Sequence, residues 1–585
     1  MSTISFSEWQ PGTKDPFIVY KGNTVRFHGE TYLDQGANPA IAPNAQNFKG
    51  TVSWTFENPS SKVEFDAGYL DAPGTITVKF FDSAGHVLST MTNSQPSQHF
   101  SFSSQKGIAK VVVNSTTDDY ALDNVSFTTT FPQVGLSHDR DIDGLLWGWK
   151  WGHKDLTYSF PNNSNEYSLG GYQNVTGFQA LSGQQKAAYE KIIDNFDGVC
   201  GLSFHRTTKP LADIRFGEAN SIDYGDAQGP HKPGNGTAEG NPPDPTRAQS
   251  SWGDVWLGHG AYDQPKYGSF AYAAGLMHEL GHALGLKHGH VSQQGHGVTF
   301  PALPKAHNSY EYSIMTYTQY PGDPTPNDSA VDHPTTLMQD DIAALQYLYG
   351  ADFKYRSTDT TYRFDRDGQM LVNGQGQGVP LHHRALLTIW DGGGHDTYDF
   401  SNRKNDLSID LAPGNATTFG PRANLGEGHL AHANVYSALL YKGNEASLIE
   451  RAIGGTGDDR IYGNGANNAL LGGGGRDRLN GRDGNDRLTG GGSADHFIFN
   501  TRLKQNVDEI TDFKHGQDRI DIDNAIFKGL RNGQLDTSDF KNHFDYNQSN
   551  GALFFDADGR GGHGGIKFAE LNPHQHLTAS DFLVI

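Results

Sequence analysis

The sequence predicts a multi-domain, largely β protein: an N-terminal β-sandwich, a central α/β domain and a C-terminal parallel β-roll. Three observations predict it. Short alternating apolar and polar runs recur through residues 1–130, a histidine-rich helical pattern occupies residues 276–290, and from Gly454 the chain repeats every nine residues. At 585 residues the chain is too long for one core, and its 72 glycines suit many turns.

In the N-terminal region, residues 51–56, 75–81 and 109–113 alternate with period two, and Gly, Pro, Asn and Asp separate the runs. That pattern predicts half-buried strands of a sandwich. Residues 120–127 loosely resemble the last strands of jelly-roll modules related to carbohydrate-binding domains, which makes the sandwich jelly-roll-like. A glycan or surface partner and a plain structural or docking module both stay open for it. Residues 128–132 read as a linker.

The central domain, residues 135–350, opens with a strand at 156–161 and a helix at 181–196, where Ala188, Ile192 and Phe196 mark one face. Residues 212–216 and 254–257 read as further strands, and the Gly-, Pro- and Asn-rich stretch 230–250 as a surface loop near a cleft. Residues 339–350 close the domain as a helix stopped at Gly350.

Between them His278, Glu279, His282, Gly285 and His288 spell H-E-x-x-H-x-x-G-x-x-H. His278 and His282 fall one turn apart on one helical face. Gly285 lets the helix stop and the chain turn, which brings His288 round as third ligand. Three neutral imidazoles leave a tetrahedral Zn²⁺ one open position for water, the arrangement of a catalytic site, and Glu279 stands ready for the water's proton. After this motif, residues 313–317 (Ser-Ile-Met-Thr-Tyr) resemble the Met-turn of the metzincins. Met315, by itself an ordinary core residue, then reads as the floor beneath the histidines.

From residue 141 onward the chain resembles the serralysin branch of the metzincin zinc metalloproteases. The resemblance implies an α/β metzincin catalytic domain, protein or peptide substrates, and Tyr317 as a fifth, displaceable zinc ligand that stabilises the tetrahedral intermediate. Gly289-His290 departs from the Pro-Gly expected after the third ligand, and the N-terminal domain replaces the short propeptide expected there.

The C-terminal domain, residues 351–585, carries GGTGDDRIY, GNGANNALL, GGGGRDRLN, GRDGNDRLT and GGGSADHFI in succession. These resemble the RTX repeat, in which a Gly-rich turn binds Ca²⁺ and a short strand follows. Glycines such as Gly455, Gly457, Gly473, Gly475 and Gly484 turn carbonyls toward the ion. The sixth position supplies a side-chain oxygen from Asp459, Asn468, Asp477, Asp486 and Asp495. Asn468 lowers the charge at its site. The eighth position (Ile461, Leu470, Leu479, Leu488, Phe497) points into the stack. By the same resemblance Asp391, Gly393 and Asp396 form a further calcium loop, completed by Arg356, Thr358 and Thr360, with Glu450 beginning the roll. Thr358 stands where Gly is expected. Residues 510–513 and 518–522 read as capping strands.

The net charge of −21 argues against nucleic acid and anionic membranes as partners. No apolar run reaches the ~18 residues of a membrane helix, which also disfavours a pore-forming toxin. The single cysteine, Cys200, excludes an internal disulfide and reads as a buried thiol. The N-terminus has neither a basic nor an apolar signal region, and the acidic-then-apolar end 581–585 resembles the uncleaved signal of type I secretion machinery, although a last strand would look similar. Together these predict a secreted zinc endopeptidase whose roll folds on calcium. A calcium-dependent adhesin or glycan-binding protein with an inactive central domain is the alternative.

Overall fold

A computed structural model describes residues 2–3, 17–20, 23–28, 49–68, 70–129, 131–168, 172, 174–208, 212–224, 230–231, 237–244, 251–324, 330–503, 506–559 and 564–585. The chain is β-rich, with few helices. Among the described residues, no helix is long and apolar enough to cross a membrane.

In the N-terminal region, the long strands Gly50–Gly68 and Gln98–Ser115 pair antiparallel along most of their length. The first hands its other edge from Asn23–His28, with Val25 opposite Phe56, to Ala121–Thr129, with Val63 opposite Phe127. Register shifts between Thr55 and Lys62 mark that hand-over. They also flip the buried parity: Val52, Trp54 and Phe56 are buried before them, Val63, Phe65 and Ala67 after. A bulge moves every later side chain to the opposite face, so the apolar pattern changes phase to keep facing one core. The expected linker is short, because the strand runs to Thr129. Phe131 already packs edge-on against Trp151 and Trp252 in the next core.

The central sheet runs in the order Ser203–Arg206, Asp155–Ser159, Ile214–Glu218, Val255–Leu257, Ala238–Gly240; the last strand is antiparallel to its neighbour and the other pairings are parallel. Ala238–Gly240 lies inside the stretch expected to be a surface loop. Residues 240–244 are buried, so that expectation is corrected: some of the stretch is the sheet's edge. The helix Gly183–Val199 starts at a capping box of Ser182 and Gln185 and buries Ala188, Ile192 and Phe196. The backbone N–H groups of Ser182 and Gln185 are thereby satisfied. Cys200, at its end, is buried, with its S–H directed to the Phe196 carbonyl at 3.3 Å.

The C-terminal region is a β-roll. Arg451–Ile453, Ala469–Gly474, Arg487–Gly492, Asp508–Ile510 and Ile566–Leu571 stack parallel in one sheet. The intervening strands Arg460–Tyr462, Arg478–Asn480, His496–Phe499, Arg519–Ile522 and Phe582–Val584 stack parallel in the other. Residue 451 pairs with 469 and 469 with 487, so one coil is two nine-residue units. Ile461, Leu470, Leu479, Leu488 and Phe497 fill the space between the sheets with no exposure. The segments expected to cap the roll instead continue both stacks, and the antiparallel strands Phe544–Tyr546, Ala552–Phe555 and Gly533–Gln534 lie outside them. The core of the central region does not stop at Gly350: Leu386, Trp390, Ala423, Leu425, Ala433 and Tyr436 belong to it.

Candidate active site

The helix that carries the histidines starts with π-type hydrogen bonding over Ala271–Met277 and tightens to an α-helix over His278–Ala283. π-type turns are uncommon and often mark functional sites. Its last carbonyls are satisfied from outside, Ala283 by the Trp151 indole at 2.9 Å and Leu284 by the Tyr349 hydroxyl at 2.7 Å. Gly285 ends it at φ +94°, and a Cβ there would lie 2.7 Å from the Trp149 carbonyl. Only glycine meets both demands. The chain then pairs with residues 145–147, through Lys287 N–H to Leu145 O at 2.7 Å and Trp147 N–H to Gly285 O at 2.9 Å, and returns His288 to the helix. Lys287 holds this return from within. Its buried ammonium donates to the carbonyls of Gly144, Val291 and His288, and burial brings it down to about 7.

His278, His282 and His288 converge, with one ring nitrogen of each within 4.8 Å of the others. His282 Nε2 and His288 Nε2 are 3.0 Å apart. His278 Nδ1 donates to Ile314 O and His282 Nδ1 to Leu286 O, both at 2.8 Å, which fixes the tautomer and leaves each Nε2 lone pair inward. Burial holds His278 down at about 4 and His288 at about 3, so both are neutral and able to ligate. Three neutral imidazoles converging in this way fit a zinc ion.

Glu279 Oε2 accepts from the Gly240 N–H at 2.6 Å, and burial lifts the carboxyl to about 8 against that bond. A Cβ at Gly240 would lie 2.0 Å from the Glu279 carbonyl oxygen, so the edge strand meets the helix backbone directly. Tyr317 Oη is 2.8 Å from His288 Nε2. Met315 is fully buried under the helix, where a Cβ on Gly281 would meet its sulfur at 2.6 Å. His290 stacks beside His288 and Tyr317. Trp147, Ala238, Glu239, Gly240, Gln293 and Tyr317 surround Glu279, His282 and His288 in a cleft of about 320 Å³.

Asp341 carries no signal in its neighbouring sequence, yet it holds the turn beneath the histidines. Its carboxylate accepts from Ser313 Oγ at 2.6 Å and from the N–H groups of Ile314 and Met338, both at 2.9 Å. Through Ile314 it sets the carbonyl that orients His278.

The repeats place their sixth residues in a buried ladder. The backbone N–H of Asp459 donates to Asp477 Oδ1 and that of Asp477 to Asp495 Oδ1, both at 2.9 Å; Asn468 N–H donates to Asp486 Oδ1 at 2.7 Å. Asp508 and Asp518, missed in the sequence, extend it by accepting from Asp486 and Asp495 at 3.1 Å. The first glycine of each unit makes room: a Cβ at Gly472 or Gly481 would lie 2.2 or 1.9 Å from Oδ2 of Asp477 or Asp486. Those two Oδ2 atoms are buried without a hydrogen-bond partner. Burial raises Asp459 and Asp495 to about 6, Asp477 and Asp486 to about 7 and Asp508 to about 8. Buried carboxylates with orphaned oxygens fit a cation. Asn468 differs, because its Oδ1 accepts from Asn464 N–H at 2.7 Å and its amide donates to Asn464 Oδ1 at 3.1 Å.

Gly455 N–H donates to Asp459 Oδ2 at 2.7 Å. Gly457, Gly473, Gly475 and Gly484 sit where a Cβ would overlap the neighbouring coil's backbone. Upstream, Asp396 accepts from Thr360 N–H and donates its own N–H to Glu450, both at 2.8 Å, and its Oδ2 is orphaned. Burial first, and Asp391 and Glu450 after it, raise Asp396 to about 8. Gly393 N–H donates to Asp391 Oδ1, the Thr360 hydroxyl to Thr358 O, and Arg356 takes φ +49°.

A family profile described as peptidase M10 serralysin C terminal matches residues 351–570. Metallopeptidase AprA of Pseudomonas marginalis is 33% identical over 404 residues, which cover 67% of this chain and 76% of the relative. The chain belongs to the serralysin family. Serralysin of Proteus mirabilis is 32% identical over 396 residues, covering 64% of this chain and 74% of its own, and serralysin G of Dickeya chrysanthemi is 32% identical over 384 residues, covering 63% and 72%. This serralysin is accordingly a zinc metalloendopeptidase of the metzincin type, from a family that uses zinc and calcium.

Asp341→Ala strands three buried donors and frees the carbonyl that orients His278. It is expected to weaken zinc binding by about 10-fold or more, as losses of groups behind metal ligands do. Competition against a chelator measures this, and an unchanged zinc affinity would contradict the assigned role. A second expectation concerns pH. The roll carboxyls hold protons up to about pH 6–8 when folded, against about 3.9 in an unfolded chain. The folded roll therefore binds more protons in that window, and its metal-free stability falls as pH rises through it. In EGTA, the full chain's roll is expected to be least stable, and unfolded, at pH 8 and to gain stability as the pH falls to 5, with calcium stabilising it more at pH 8. Calorimetry showing equal metal-free stability at both would refute it.

Proposed function

We propose that this serralysin cleaves internal peptide bonds of protein substrates in the cleft lined by Gly240, Glu279, His288 and Tyr317. The observation that carries the reading is a buried carboxylate, Glu279, fixed by one backbone N–H beside three converging neutral imidazoles. His278, His282 and His288 would hold the zinc ion. When bound, zinc supplies the Lewis acidity that makes water a nucleophile near neutral pH.

The chain's own groups divide the remaining work. Because Oε2 of Glu279 is taken by Gly240, Oε1 is the atom that accepts the water's proton and returns it to the leaving amine. Its raised proton affinity, a consequence of burial, suits both halves of that transfer. Tyr317 has a hydroxyl with a raised pKa of about 12, kept protonated and close to the ligand nitrogens, so it can donate to the oxyanion and serve as a fifth ligand when the cleft is empty. Gly285 and Met315 are structural, one returning His288 and the other supporting the helix.

Residues 1–130 form a jelly-roll-like β-sandwich on this reading, residues 135–350 a metzincin catalytic domain and residues 351–585 a calcium-folded roll. Calcium ions would be held by Asp391, Gly393, Asp396 and Glu450 with Arg356, Thr358 and Thr360, and along the roll by the turns ending at Asp459, Asp477, Asp486 and Asp495. The satisfied amide of Asn468 supports a weaker site there. Low cytosolic calcium leaves such a roll unfolded for export by a type I route, and millimolar calcium outside folds it. The N-terminal domain would then meet a glycan or surface partner.

Glu279→Ala is expected to lower casein hydrolysis by the full chain in millimolar calcium by about 10²-fold or more while zinc stays bound. Hydrolysis by the unmodified chain should disappear with 1,10-phenanthroline and return with zinc. Full activity of Glu279→Ala would sink the mechanism, and activity indifferent to the chelator would sink the metal.

A further inference from the structure

We propose that Asp141, His307 and Asp340 form a second metal site, separate from the three converging histidines, that takes a divalent transition-metal cation such as zinc. The residues come from three distant segments. Asp141 lies in the short helix Arg140–Asp143, His307 in the loop after the strand Val298–Phe300, and Asp340 in the first turn of Gln339–Tyr349. One ligand atom of each lies within 4.8 Å of the others. His307 Nδ1 stands 2.9 Å from Asp340 Oδ2 and 3.5 Å from Asp141 Oδ2. Such separations suit atoms sharing an ion at bonds of about 2.0–2.2 Å.

Two observations favour a cation over a simple imidazolium ion pair. Asp340 is fully buried, and its second oxygen, Oδ1, has no hydrogen-bond partner. Protonated His307 would occupy Oδ2, leave Oδ1 stranded and leave the cluster one negative charge in excess. A doubly charged ion with neutral His307 balances both carboxylates and, held by both oxygens of Asp340, gives Oδ1 the partner that a buried carboxylate requires. The His307 ring is held at this angle by stacking on Tyr312, with centroids 4.2 Å apart. Asp141 and His307 keep side-chain exposures of 30% and 29%, which opens one side for entry and for water ligands. One imidazole and two carboxylates are a donor set for zinc or a neighbouring transition ion rather than an all-oxygen calcium cage.

An ion here would clamp the start of the central region to its last helix. Asp340 N–H also donates to Tyr312 O at 3.0 Å, just before the turn under the catalytic histidines. The inference does not rest on the peptidase mechanism, and its test separates the two. The full-length chain carrying His278→Ala and His282→Ala, with its catalytic ligands removed, is equilibrated with buffered micromolar zinc in millimolar calcium, which keeps the roll filled. Metal analysis should find one zinc per chain more than in the same chain with His307→Gln or with Asp141→Asn. Zinc should also raise the melting temperature of the first chain and not of the other two. Equal zinc content and equal melting shifts in all three would overturn the proposal, leaving an ion pair only. Because His307 and Asp141 are partly exposed, their variants retain the fold, which circular dichroism in the absence of zinc verifies.

Discussion

A carboxylate taken out of water needs a positive partner, and this requirement shapes the molecule more than any other. In the roll, Oδ1 of Asp477, Asp486 and Asp495 accepts from the backbone N–H of the corresponding residue one coil back, which sets the stacking distance. That single bond leaves the second oxygen of Asp477 and Asp486 facing no donor. The glycine that opens each unit makes this placement feasible, because any side chain there would occupy the carboxylate's position. Sequence, turn and cation demand are therefore one constraint. A roll only two apolar side chains thick buries little surface, so on the proposed calcium binding it is neutralisation of the acidic edge that lets the stack persist.

The central region answers the same requirement differently at two buried carboxylates. Asp341 meets three donors, Ser313, Ile314 and Met338, and is spent on holding the turn beneath the histidines. Glu279 meets one, Gly240, and keeps an oxygen with high proton affinity facing the cleft. On the proposed mechanism, the difference between a fastener and a proton carrier lies in the number of backbone N–H groups delivered to each, not in the residue type. Delivery depends on close approach: the edge strand reaches Glu279 because residue 240 has no side chain to hold it off.

What could be read from the sequence was what repeats or what sits at short spacing. The three histidines and Glu279 occupy one helix and one turn, so their meeting was legible in 278–288. The five repeats were legible because 18 residues separate partners such as Asp477 and Asp495. The ladder's continuation was not, since Asp486 meets Asp508 at a separation of 22 and Asp495 meets Asp518 at 23. Extra residues after Phe499 break the period while the stack goes on. The edge strand at Ala238–Gly240 spans three residues within Gly- and Pro-rich chain, too short for any alternation to show. Asp341, and the meeting of Asp141 with His307, depend on contacts between distant segments that no local pattern encodes.

The peptidase region and the roll are also mechanically joined. Buried Asp332 accepts from Arg384 at 3.0 Å and from Asn424 N–H at 2.7 Å, and pairs with His382. Buried Glu311, just ahead of the turn under the histidines, accepts from His432 N–H at 2.6 Å and from the Tyr436 hydroxyl. Leu386, Trp390, Leu425 and Tyr436 complete the apolar core against the last helix of the central region. Segments 382–436 include the acidic loop at 391–396 and run up towards the repeats, so on the proposed calcium-dependent folding they take their places as those loops fill. Until then Asp332 and Glu311 lack their partners, and the core that supports the three histidines lacks one wall. Calcium would thus govern the peptidase through packing, with no calcium ion needing to approach the cleft.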